Sequence, residues 1–231
     1  MGFLFYTEDK NKTKEGHTMT LHTILTPEWI HDAKLMAAEN PRLEGFVPSE
    51  GGENPRILLL GEAPGDQEVK IGRPFMGPSG KELDRWLASL GLTREDIYIT
   101  GVVNSRPFSI GKSGRKSDRR PNQAEVKKSA PMFDWELAHF PNVLLVPMGN
   151  ASLQRLLGNK AKIGDLHGQL LESPIQKYNP ETNSFEFTQE KYRIFPLYHP
   201  SYSKRFKNMK AIVDADSQRL KQLLAKQSNG R

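Results

Sequence analysis

A chain of 231 residues, 36% hydrophobic and 26% charged, is long enough to bury one sizeable core without covalent staples. It contains no cysteine, which excludes disulfides, thiol nucleophiles and cysteine-held metal clusters. No apolar run reaches membrane-spanning length, and the first residues form too short an apolar stretch for a secretory signal, so a cytoplasmic protein is expected; the net charge of +6 favours a polyanionic partner.

Residues 1–20 are expected to be a flexible extension, because 7–20 are polar, lysine-rich and aperiodic. Met19 is an alternative start, and 21–231 read as a single domain. Thr26 followed by Pro27 marks a helix start; Trp29, Ile30, Ala33, Met36 and Ala37 share one face of the helix that ends before Pro41.

The apolar run 57–60 then reads as a buried parallel strand. It leads into GEAPGDQE at 61–68 and GRPFMGPSG at 72–80. Glycines and a proline at such a strand end let the backbone turn sharply and present N–H groups to a crevice. Phe75 stands in a polar, glycine-rich segment, where it is either a core plug or a platform for a flat base. A capping-box pattern from Ser79 to Glu82 predicts a helix burying Leu83, Trp86, Leu87 and Leu90 and stopped by Gly91.

A second strand is predicted at 97–103, its polar end carrying Asn104, Ser105 and Arg106. Residues 109–120 carry five basic residues against one acid and predict a surface loop, either solvated or a clamp on phosphates. Asn122 with Glu125 starts a helix that keeps Val126, Ala130, Phe133 and Leu137 in register through Pro131. A third strand at 143–148 is followed by a helix opened by Gly149 and Asn150. Residues 173–190 read as an irregular or hairpin excursion, with alternation at 184–188. A fourth strand at 193–198 delivers His199, and a last helix over 209–226 is expected to bury Ile212, Val213, Leu220, Leu223 and Leu224. Strands alternating with helices predict a three-layer α/β/α sandwich around a mainly parallel four-stranded sheet.

In such sheets ligands sit outside the carboxyl ends of the strands. Three strand ends here carry 61–68, 104–106 and 199–201. His199, followed by Pro200 and Ser201 at a strand end, is placed to donate to a developing anion.

The three motifs GEAPGDQE, GRPFMGPSG and YHPSY, in that order, resemble the uracil-DNA glycosylase superfamily, most closely its thermostable iron–sulfur branch, the fourth family. The resemblance runs from about residue 46 to about residue 205. It implies a monofunctional glycosylase that hydrolyses the N-glycosidic bond of uracil, or a related deaminated base, flipped out of DNA. It also implies that His199 supports departure of the base anion and that Ser201 orients its loop or holds a phosphate. Glu62 and Ala63 match positions whose backbone contacts uracil, with Gly61 and Gly65 shaping the same turn. Phe75 matches the stacking aromatic, and Glu68 an acidic position. Glu68 or Asp66 positions water or balances the cationic sugar; the bland reading of both is a solvated carboxylate. Ala63 stands where other branches place a water-activating aspartate. Arg73, Arg106, Lys112, Arg115, Lys116, Lys204 and Arg205 are the expected phosphate contacts.

Two departures from the family pattern stand out. The base-reading asparagine falls on Gly101, and Asn104 substitutes for it only if the strand ends differently, since three residues reverse the side-chain face in a regular strand. The cluster cysteines fall on Ser105 and Ser129 or have no counterpart, so no iron–sulfur cluster, metal or other cofactor is expected. Two further readings remain: a non-catalytic binder of damaged or single-stranded DNA, and an α/β protein for a small anionic ligand. A monomer is expected.

Overall fold

The computed structural model describes residues 22–199 and 202–228, so the predicted extension over 1–20 lies outside them. Its organising element is strand Ile57–Gly61, all five residues of which are buried. Alternation along this strand divides the core. Ile57 and Leu59 pack into one cluster with Leu83, Leu87, Leu220 and Leu224. Leu58 and Leu60 pack into another with Phe133, Leu137 and Leu156. A sheet covered by helices on both faces results, with apolar side chains above and below every central strand.

The strand is flanked by Ile97–Gly101 and Leu144–Pro147, both parallel to it, and Tyr192–Ile194 runs parallel to the latter. These are the four predicted strands. The sheet is larger than expected, with six strands: Glu50–Gly51 pairs antiparallel with Ile97–Gly101 on one edge, and Leu171–Ser173 pairs antiparallel with Tyr192–Ile194 on the other. Both additions are two or three residues long, too short to show a period in sequence.

One helical layer holds Pro78–Leu90 and Lys210–Ser228, bridged where the Trp86 indole N–H donates to Ser217 Oγ at 2.9 Å. The other face carries Gln123–His139, which begins with the predicted Asn122–Glu125 capping box. Helix Pro27–Glu39 starts at the predicted Thr26 cap and packs near it, Trp29 against Trp135. Several sequence expectations need correction. Helix Pro78–Leu90 is capped by Gly77, with Pro78 in its first turn, so Ser79 is not its N-cap. The second strand stops at Gly101, and Ile212 is 37% exposed rather than buried. The basic segment 109–120 is mostly a hairpin: Arg106–Ile110 pairs with Lys116–Asp118, and Leu43–Glu44 completes a small sheet.

The excursion after residue 173 is a hairpin of Gln176–Asn179 and Ser184–Phe187. It is fastened through Arg155, which lies buried between the Phe133 and Phe185 rings, pairs with Asp134 and donates to Gln176 O at 2.8 Å. Removing one partner of a buried pair strands the other charge. Arg155→Ala is therefore expected to cost about 3–5 kcal/mol, seen as a lowered melting temperature.

Candidate active site

The carboxyl ends of the three central parallel strands open onto a cavity of about 700 Å³. Gly61, Glu62, Ala63, Gly65, Asp66, Glu68 and Phe75 line it from the first motif, Gly101 and Asn104 from the second strand end, and His199 from the last. Ser201 and the side chain of Arg205 lie outside what is described.

Phe75 and His199 are stacked, with ring centroids 5.6 Å apart and planes 12° from parallel. The loop is shaped to allow this. Phe75 takes a left-handed backbone conformation with φ 53°, which costs a non-glycine residue on the order of 1–2 kcal/mol. Arg94 offsets that cost by donating to Phe75 O at 2.7 Å and Pro74 O at 3.0 Å. Gly80 is required: a Cβ there would lie 1.7 Å from Phe75 O. Phe75 also packs against the core cluster beneath it, so it is plug and cavity wall at once.

Glu68 is the brace of the turn. Its Oε1 accepts from Met76 N–H at 2.9 Å and Gly77 N–H at 2.8 Å, and its Oε2 from Gly65 N–H at 3.1 Å, tying the start of the short helix Asp66–Ile71 to the Phe75 loop. Asp66 accepts from Lys70 and from Arg106. Both acids are thus bonded within the protein rather than simply solvated.

Burial dominates the site's electrostatics. It pushes the His199 imidazole down to about 4, so the ring is neutral at neutral pH and offers one N–H donor. Burial also raises the Glu62 carboxyl, with the Arg120 charge opposing it. Beneath the cavity, the fully buried Glu136 is pushed up to about 7 by desolvation, against hydrogen bonds from Thr100, Ser49 and Tyr98.

Several expected phosphate contacts are engaged inside the molecule. Arg106 is 5% exposed and donates to Asp118 at 2.6 Å, Glu44 at 2.8 Å and Asp66 at 3.0 Å. Its Nε and Nη1 hydrogens are engaged inside the protein, which makes it a structural hub. Arg73 forms a two-point pair with Glu50. Lys116 reaches Glu44 at 2.8 Å and covers the Phe108 ring, and Lys204 pairs with Glu82 at 2.5 Å. Lys112 and Arg115 are exposed at the hairpin turn.

Gly101 and Asn104 border the same cavity because the strand ends at Gly101 and the chain turns irregularly over 102–105. A Cβ at Gly101 would lie 2.8 Å from Val103 O, so this backbone leaves no room for a side chain without shifting. Sequence reasoning missed Arg94, Arg119 and Arg120, the last two lining the cavity, and also missed Glu136. The polar Glu136 between Phe133 and Leu137 breaks the apolar face of its helix, and that break was the available signal.

An iron–sulfur cluster does not fit the residues present. The chain has no thiolate to hold one. Ser105 and Ser129 are buried with hydroxyls that lack a hydrogen-bond partner, as expected of small side chains filling space rather than ligating. Among the described residues no group of three or more His, Asp or Glu is arranged to hold a metal ion, and no helix is long and apolar enough to cross a membrane.

Comparison with known proteins gives matches over the same region. The family model described as the uracil DNA glycosylase superfamily matches residues 48–224. The type-4 uracil-DNA glycosylase of Archaeoglobus fulgidus is 31% identical over 182 residues, covering 78% of this chain and 83% of that protein. Its counterpart from Sulfurisphaera tokodaii is 29% identical over 178 residues, 77% and 74% of the two chains. That from Pyrobaculum aerophilum is 34% identical over 133 residues, 56% and 64%.

Proposed function

This chain belongs to the uracil DNA glycosylase superfamily, and from that premise we propose that it hydrolyses the N-glycosidic bond of uracil, or a related deaminated base, flipped out of DNA. The products are the free base and an abasic site. The observation that carries the reading is the stacking of the Phe75 and His199 rings against each other, both lining one cavity at the strand ends.

The chemistry follows from those groups. A base stacked on Phe75 is held away from water. As the glycosidic bond lengthens, its electron pair moves onto the base, and the sugar acquires oxocarbenium character. A neutral imidazole N–H from His199 hydrogen-bonds the growing negative charge on the base; being neutral, it stabilises the anion without adding a buried positive charge of its own. Water adds to the cationic anomeric carbon and loses a proton to solvent. The carboxylates of Glu62, Asp66 and Glu68 add negative potential that favours the cationic sugar. No metal, cofactor or second subunit enters this scheme.

The test is incubation with uracil-containing single- and double-stranded oligonucleotides followed by alkali. Strand breaks well above those of a His199→Ala control are expected; parity with the control overturns the reading. The close approach of Val103 O at Gly101 favours one competing reading, a binder that kept the fold but not the chemistry. That reading predicts binding with no released base.

Lys112 and Arg115 are the exposed cations proposed to meet DNA phosphates. Replacing both by alanine is expected to lower affinity uniformly across sequences. It should also reduce the slope of log affinity against log salt by about one for each phosphate left without its cation, measured by fluorescence anisotropy.

A further inference from the structure

We propose that Asp118, carried on the hairpin beside the cavity, is the general base of the reaction: its Oδ2 takes the proton of the water that adds to the anomeric carbon. This rests on the glycosylase reading and deepens it by giving the water step a residue.

The acids lining the cavity are Glu62, Asp66, Glu68 and Asp118, and their positions are not equivalent. Glu68 commits both oxygens to three backbone N–H groups. Asp66 gives one oxygen to Arg106 and the other to Lys70. No hydrogen bond fixes the Glu62 carboxyl, and burial favours its neutral form. A base for water needs a carboxylate that is held in place and still has lone pairs to offer. Asp118 meets both conditions. Its Oδ1 accepts from Arg106 Nε at 2.6 Å, and among the described residues its Oδ2 has no partner.

The hairpin sets where that oxygen sits. Asp118 ends the strand Lys116–Asp118, opposite Phe108. Immediately beyond it, Arg119 N–H donates to Pro107 O at 3.1 Å and the Arg119 side chain pairs with Glu125 at 2.6 Å, which anchors the strand end. Arg106 is itself fixed by Glu44 and Asp66, so the group that grips Oδ1 does not swing. From there the carboxylate reaches over the turn of the first motif: a Cβ on Gly65 would lie 3.2 Å from Asp118 Oδ2. Glycine keeps that space open. The Asp118 side chain is 60% exposed, so water reaches it.

The step balances with water as its one co-reactant. As the glycosidic bond breaks, its electron pair leaves with the base. The water oxygen bonds to the anomeric carbon, and one of its protons passes to Asp118 Oδ2. The protonated carboxyl returns that proton to solvent, and the base anion takes one up. Arg106 acts as a positioning residue, orienting the base as a third group does in other hydrolytic sites.

The experiment measures single-turnover release of uracil from an oligonucleotide, binding of a cleavage-resistant 2′-fluoroarabino analogue by anisotropy, and thermal melts. Asp118→Asn keeps an oxygen for Arg106 but cannot take a proton. It is expected to lower the rate of release about a hundredfold or more. The analogue should bind at least as tightly, since a negative charge beside the DNA backbone is gone, and the melting temperature should stay near that of the wild type. Added formate should restore activity to Asp118→Ala in proportion to its concentration, by standing in for the lost carboxylate. A merely structural role gives weaker binding with the slower rate and no rescue; if Asp118→Asn does not fold, the formate result decides. Wild-type rates in Asp118→Asn, absence of rescue, or a stable ester between Asp118 and the sugar overturns the inference and leaves the glycosylase reading standing. A wild type that releases no uracil above the His199→Ala control removes both.

Discussion

His199→Ala is expected to lower the rate of uracil release by about 10²- to 10³-fold, the usual cost of removing one donor to a developing oxyanion. The loss should fall on kcat more than on KM, because the bond to the imidazole strengthens as charge builds on the base. The His199 ring is held neutral by burial, at about 4 against its ordinary 6.5. The rate should therefore show no limb from this residue between about pH 5 and 8. The linkage has a definite sign. The unfolded chain binds a proton to His199 more readily than the folded one, so its contribution to stability is present above about 6.5 and is lost as pH falls from there towards about 4. Melting temperatures of wild type and His199→Ala, compared at pH 7.5 and at pH 5, check this: the wild type should lose more on acidification. An activity limb that disappears with His199 in the neutral range would show instead that the imidazolium is the working form.

Glu68 gives the second large effect, and two substitutions separate its possible roles. Three backbone N–H groups converge on its carboxylate. Glu68→Ala leaves all three without their acceptor and is expected to cost about 2–4 kcal/mol of stability. Because two of those donors flank the Phe75 loop, the ring should lose its set position against His199, and uracil release should fall about a hundredfold or more. Glu68→Gln retains an oxygen for the Met76 and Gly77 donors and gives up only the Gly65 bond. As a brace, the glutamine variant should keep activity within about tenfold of wild type. As a general base for water, it would fail as badly as alanine, since an amide cannot take the proton. Steady-state rates and thermal melts of the two variants give the answer.

Some of this was legible along the chain and some was not. The four parallel strands announced themselves as apolar runs ending in glycine or polar residues, and the helix starts at Thr26 and Asn122 carried their caps in sequence. The convergence of the GEAPGDQE, GRPFMGPSG and YHPSY motifs followed from where parallel strands must end. The edge strands were invisible at two or three residues. The basic segment read as a loop because its strands face solvent on both sides, leaving no apolar alternation to detect. Ion-pair partners were equally invisible. Arg106 is held by Glu44, Asp66 and Asp118, which come from three separate segments and which no local pattern links to it.

Local pattern therefore determined which residues face inward, where the chain turns, that no thiolate is available, and which strand ends hold the chemical groups, because each depends on near neighbours or on composition. Only the tertiary structure decided that Phe75 and His199 stack, that Arg94 holds the strained loop, and that Asn104 bonds Val47 and Ser49. Those pairings depend on strand order and register across the whole sheet, and burial then sets the charge on His199 and Glu136, which no neighbour in the chain specifies.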